Sequence, residues 1–224
     1  MKSIYQQALG SDFQKLHPKI RDRFGFSSTD ARACIGTGTM HAMWHGKPWT
    51  WPFLNLGASR RVMFPESENN TRFVIENYAY RDALGRETVT WIRTFDFAKV
   101  RRRFDAYMIF STRRNRIVDY LGTHEHLAVD LDIRVDARGG LCIRSGEQRF
   151  YEHILGFRVP AALTGRAEVR EWFDDDLGKF CIRVDVTNNR FGRLFGYAGT
   201  FDVAWIDVEK IPQDMLPLRY EARE

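Results

Sequence analysis

Residues 123–151 read THEHLAVDLDIRVDARGGLCIRSGEQRFY, and the reading of this stretch decides the fold. Leu127, Val129, Leu131, Ile133 and Val135 put an apolar side chain at every second position, with Ala128, Asp130, Asp132 and Arg134 between them. A period of two is that of a strand buried on one face. The run from Asp136 to Gly140 turns the chain; Leu141 and Ile143 then resume the buried face while Cys142 and Arg144 take the other. Two long strands joined by a short glycine-containing loop make an antiparallel hairpin.

Further strand signals continue on both sides of this hairpin. Upstream, residues 73–80 and 87–95 flank the turn 82–85, and residues 103–111 and 116–121 flank the turn 112–115. Downstream, residues 167–173 and 180–187 flank the acidic turn 174–178, and residues 197–208 read as a last strand. Residues 31–45 alternate between glycines, the pattern of a strand that bends. Between prolines 48 and 65 the alternation fails. Trp49, Trp51, Phe53, Leu54 and Phe64 crowd there, as in an aromatic loop or short helix laid across an opening. Residues 154–165, interrupted by Pro160, read as a short helix or a cover.

Helical spacing is confined to residues 3–24, where Gly10 and Pro18 divide the pattern into two short helices that plug or cover the sheet. A meander of about nine or ten strands leaves unpaired edges unless it closes or folds into two layers. The expectation is therefore a mainly β protein. Its architecture is a single antiparallel β-barrel or strongly curled sheet, lipocalin- or calycin-like, with short N-terminal helices. Residues 1–224 form a single domain in this reading: helices over 1–30, barrel over 31–208, and a loosely attached tail over 209–224. A START-type helix-grip fold is the alternative, but it needs a long C-terminal helix that the pattern lacks.

Composition narrows the classes. With 17 Phe, 8 Tyr and 6 Trp, the chain has enough aromatic surface for a core and a lined cavity. The net charge of +5 sits largely in Lys99, Arg101, Arg102, Arg103, Arg113, Arg114 and Arg116. Short clusters of this kind mark solvated strand ends, so no nucleic-acid partner is expected. Cys34, Cys142 and Cys181 are odd in number and widely spaced, as free thiols of a cytoplasmic protein would be. No stretch is apolar enough for a membrane span.

Three segments are similar to a known family: YQQALGSDFQKLHPKI over residues 5–20 with Arg23-Phe-Gly25, TWIRTF over 90–95, and LFGYAGTF over 194–201. Together they resemble the DUF4166 family of bacterial proteins, across residues 5–208. The resemblance implies a bacterial cytoplasmic protein of unassigned function. Because some members are fused to saccharopine-dehydrogenase-like domains, it also suggests an oxidoreductase partner. The dinucleotide fingerprint itself is absent, since Gly36-Thr-Gly38 is too short and no helix follows it.

Alternation assigns the candidate site. Trp91 and Arg93 share one strand face, and Glu147, Arg149 and Tyr151 share another; with Tyr107 and Phe150 they form the expected lining of the barrel interior. An arginine among aromatics either pairs with Glu147 or Asp105 to fix register or holds a ligand carboxylate through its bidentate fork. The favoured function is binding of a small apolar or weakly acidic ligand, without a cofactor. The alternative is an enzyme, metal-dependent through His124 and His126 or acid–base through Glu147. The HxH pair lacks further ligands at metal-site spacing, and His41 and His45 lack the glutamate of a zinc helix. Ser145 has no nucleophile elbow, and Lys99 and Lys179 fall in turns. Should the interior be solid, Trp49, Trp51 and Phe53 are the next candidate surface.

Overall fold

The computed structural model describes residues 1–224 apart from Ala161 and Leu163 and the side chains of Trp49 and Phe53. The chain begins with α1 (Ile4–Leu9) and α2 (Pro18–Gly25), linked by a 3-10 turn. Ser3 caps α1 in a capping box with Gln6, and Pro18 occupies the first turn of α2, where no N–H is required. Next come β1 (Arg32–His45), α3 (Trp51–Ser59), β2 (Thr71–Arg81), β3 (Glu87–Thr90), β4 (Ile92–Asp96), β5 (Arg101–Phe104), β6 (Ala106–Ser111) and β7 (Arg116–Leu121). The central hairpin is β8 (Leu127–Val135) and β9 (Leu141–Glu152), followed by β10 (Leu155–Arg158), β11 (Arg166–Asp174), β12 (Lys179–Asn188) and β13 (Gly192–Asp207).

Neighbouring strands run antiparallel in the order β1, β13, β12, β11, β9, β8, β7, β6, β3, β2, and β2 pairs again with β1. The result is a closed antiparallel barrel of ten strands among the described residues. Closure removes the free edges that a meander of this length would expose. β4 and β5 continue β3 and β6 beyond small breaks at Trp91 and Asp105, in unchanged register. β1 accommodates the curvature by a register shift between Met40 and Ala42. Residues 154–165, expected to be a helix or cover, supply instead the outer strand β10, which pairs only with β9.

Each end of the barrel is stopped. At the end holding the β8–β9 turn, α1, α2 and the turn between them bury Ile4, Tyr5, Phe13, Leu16, Ile20 and Phe24 against the interior. Gly139 in that turn has φ +76° and lies so close to His17 that a Cβ would meet its backbone nitrogen at 2.6 Å, so glycine is required. At the other end, α3 and residues 60–64 form a lid. Arg60 and Arg61 accept backbone hydrogen bonds from Thr123 and Asp105, and Phe64 is buried among Phe95, Phe97 and Phe195.

A second apolar layer lies outside the barrel. Tyr78, Tyr107, Val118, Tyr120 and Tyr151 pack beneath Ile211 and Met215. The C-terminal segment is therefore not the loose tail expected from its polarity. Leu218 N–H donates to the Thr123 carbonyl at 2.7 Å, Glu221 N–H to Glu125 at 2.7 Å, and Tyr120 donates its hydroxyl proton to the Arg223 carbonyl at 3.0 Å. The segment strips water from an outer strand face that would otherwise expose tyrosine rings.

Candidate functional site

Strand pleat aims Trp91, Arg93 and Phe95 inward together, as the alternation of their sequence requires. Most of the interior is filled by aromatic contacts, but a cavity of about 110 Å3 remains beneath Val62 and Met63 of the lid. Its walls are largely apolar, with Val129 and Leu131 from β8 facing Val184 and Val186 from β12. Four polar side chains interrupt them: Arg93, Asp119, Ser145 and Gln148.

Two of the four are committed to the backbone. Ser145 accepts from Ala167 N–H at 2.7 Å, and Gln148 donates to the Gly165 carbonyl. The other two are buried without such commitments. Arg93 is 4% exposed; its guanidinium lies 3.8 Å from the Phe104 ring centre, one nitrogen donates to the Tyr197 hydroxyl at 3.4 Å, and Nε has no partner. Among the described residues no carboxylate oxygen lies within 4.0 Å of this guanidinium. Asp119 is 7% exposed, and its Oδ1 has no partner. Burial pushes the Asp119 carboxyl up to about 7, with the positive charge of Arg93 drawing it partly back. The cavity thus has on its walls a cation without a carboxylate partner and a carboxyl with an unpartnered oxygen, close enough to feel each other but not in contact.

Of the residues expected to line the interior, Trp91 and Arg93 do so; Trp91 also donates its indole N–H to Tyr5 at 2.8 Å, tying the wall to the helical plug. Glu147, Arg149 and Tyr151 face outward instead, because of a β-bulge. Val129 pairs with Gln148 and Leu131 with Ser145, so Asp130 stands opposite both Gly146 and Glu147. One extra residue reverses the faces of everything after it. Ser145 and Gln148 therefore both point inward, while Glu147 and Arg149 join Asp130 and Arg114 in a network of ion pairs on the outer surface. Phe150 stacks between His126 and Phe157 at the rim.

Tyr107 belongs to the outer tyrosine layer. Nor does Arg93 pair with Glu147 or Asp105, the two partners open to it in the sequence. Asp105 is held by Arg103 at 2.7 Å and Arg61 at 3.3 Å.

His124 and His126 lie in the turn between β7 and β8 and not on a strand. Their rings stack at 5.3 Å, and His126 is engaged by Glu152 at 2.6 Å on one nitrogen and by Arg60 at 3.3 Å on the other. Among the described residues no group of three or more His, Cys, Asp or Glu is arranged to hold a metal ion. The three cysteines are free. No helix among the described residues is long and apolar enough to cross a membrane. Trp51 is partly exposed against His45, while the side chains of Trp49 and Phe53 lie outside the described residues.

Asp119 and Gln148 escaped the reading of the sequence. Asp119 carried a usable signal, because Ile117, Asp119 and Leu121 fall on one face of a short apolar strand. Gln148 carried none, since only the bulge turns it inward.

Comparison with known proteins gives kinship without activity. A family model described as "Domain of unknown function (DUF4166)" matches residues 16–201. "Uncharacterized protein YndH" of Bacillus subtilis (strain 168) is 36% identical over 203 residues, which cover 90% of this chain and 97% of that protein. No solved structure matches the chain.

Proposed function

The chain belongs to the DUF4166 family, and from the interior of its barrel we propose that it binds a small, largely apolar carboxylic acid. The observation that carries this reading is Arg93: a buried guanidinium on an apolar cavity wall, with an unpartnered Nε and no carboxylate in ion-pair reach. Leaving such a charge unpaired away from water costs on the order of several kcal/mol unless something compensates it. A ligand carboxylate does so through two parallel hydrogen bonds, while the valine and leucine walls take the rest of the molecule.

The cavity also sets the size. A protein cavity of about 150 Å3 accommodates benzene, so 110 Å3 suits an acid of about four or five carbons and is too small for a flavin or tetrapyrrole. Met63, with its flexible unbranched side chain, leaves some room for adjustment. Three free thiols fit a reducing compartment such as the cytoplasm.

Thermal unfolding in the presence of butyrate, valerate and their uncharged amides tests the reading. The acids should raise the melting temperature, reaching about 2.7 kcal/mol of stabilisation at roughly 100 times the dissociation constant. The amides should have little effect, and Arg93→Met should abolish the response to the acids. Equal responses from acids and amides, or from wild type and Arg93→Met, would overturn it.

A further inference from the structure

We propose that Asp119 receives a hydrogen-bond donor from the same ligand, so that the class of molecule bound is a short-chain hydroxy acid. The inference rests on Arg93 holding the carboxylate and adds the opposite pole of the site. Asp119 projects from β7 beside Met108 of β6, on a wall where every other polar side chain already has a partner or is Arg93 itself. Its Oδ1 is buried and unpartnered, and it is not drawn into contact with the arginine. A wholly apolar acid would satisfy the guanidinium and leave this oxygen orphaned. It would also set a second carboxylate beside Asp119, a like-charge arrangement that disfavours ionisation of one of them. A hydroxyl on the far part of the ligand satisfies that oxygen by donating to Oδ1, and the hydrogen bond offsets part of the like-charge cost.

The titratable groups that face Asp119 are Arg93 from β4 and Tyr5 from α1. Arg93 favours the ionised carboxylate, whereas burial favours the neutral acid, and the balance lies at about 7. A hydroxyl donor gains most from the ionised form, because a hydrogen bond to a charged acceptor is roughly twice as strong as a neutral one. An acid without a hydroxyl instead loses affinity as Asp119 ionises. Preference for the hydroxy acid should therefore grow as pH rises through 7.

Titration calorimetry with butyrate, 3-hydroxybutyrate and 4-hydroxybutyrate at pH 6 and pH 8 tests this directly. The wild-type protein should prefer at least one hydroxy acid over butyrate by roughly tenfold at pH 8, with a smaller preference at pH 6. Asp119→Asn keeps the shape and should remove the pH dependence of the preference; Asp119→Leu removes the acceptor and should reverse the preference in favour of butyrate. Butyrate and both hydroxy acids binding with equal affinity, or a preference unchanged in Asp119→Leu, would overturn the role of Asp119 while leaving that of Arg93 standing. Failure of all three acids to bind wild-type protein would overturn both.

Discussion

Two arginine–carboxylate pairs lie within this barrel, and they are built differently. Arg23 of α2 and Glu171 of β11 are each 1% exposed and in direct contact through Nε; Arg23 also reaches Cys34 Sγ at 2.8 Å and lies 5.2 Å from the Phe201 ring. Each leaves one terminal atom unpartnered, Nη2 on the arginine and Oε2 on the glutamate, but the opposite charges are joined. Arg93 and Asp119 are nearly as buried and stay apart, with the cavity along their side of the barrel. Burial of charge is thus not itself the mark of a site. The barrel closes such a pair where the plug is anchored and leaves the other open on the cavity wall.

The sharpest contrast should come from breaking the closed pair. Arg23→Met leaves Glu171 buried without its counter-ion and should cost about 3–5 kcal/mol in urea unfolding. Ligand binding at the cavity should survive in the folded fraction. A loss below about 1 kcal/mol would mean that the plug does not depend on this contact, and the contrast between the two pairs would collapse.

Next in size is the pH response of the open pair. The Asp119 carboxyl moves from an ordinary value of 3.8 to about 7 on folding, so the native state holds its proton more tightly than the unfolded chain. Its contribution to stability is fully present below about pH 4 and is lost as pH rises through the folded value of about 7. Between pH 4 and pH 8 the stability of Asp119→Asn relative to wild type should therefore rise by on the order of 3–4 kcal/mol. Glu125, pushed up to about 8 by burial beneath the C-terminal segment, adds a slope of the same sign to both proteins and cancels in that difference. A difference independent of pH would show that Asp119 is ionised throughout and sits in a wetter place than its burial indicates.

A smaller effect belongs to the outer face of the bulge. Glu147→Gln weakens ion pairs with Arg114, Arg149 and Arg158 that are partly open to solvent, and should cost no more than about 1 kcal/mol. It should leave acid binding unchanged. Lost binding would place Glu147 in communication with the cavity.

How legible all this was depended on whether one face of each strand meets solvent. β8 alternates cleanly because Asp132 and Arg134 are exposed, and from it and the spacing of the turns the antiparallel barrel follows. The inward face of Trp91, Arg93 and Phe95 was legible from its large aromatic side chains alone, since the opposite face is buried too at Thr90 and Ile92. Tyr107 was misplaced because β6 and β7 are buried on both faces, the outer one under Met215, so polarity no longer tells the faces apart. Glu147, Arg149 and Tyr151 were misplaced by a single inserted residue, which leaves no mark in composition or period beyond Gly146. The C-terminal segment read as loose because its anchors are mostly backbone groups and arginines reaching back across the chain, contacts that no local pattern encodes.

The central claim is that Arg93, unlike Arg23, is not required by the fold. The most direct test is the unfolding free energy of Arg93→Met without ligand, measured beside Arg23→Met at pH 6, where most of Asp119 is protonated and can stand alone. Methionine fills a similar volume and relieves an unpaired buried charge, at the loss of the contacts to Phe104 and Tyr197. The expected result is a stability within about 1 kcal/mol of wild type for Arg93→Met, against the much larger loss for Arg23→Met. A loss for Arg93→Met as large as that for Arg23→Met would make Arg93 a structural residue and contradict the account.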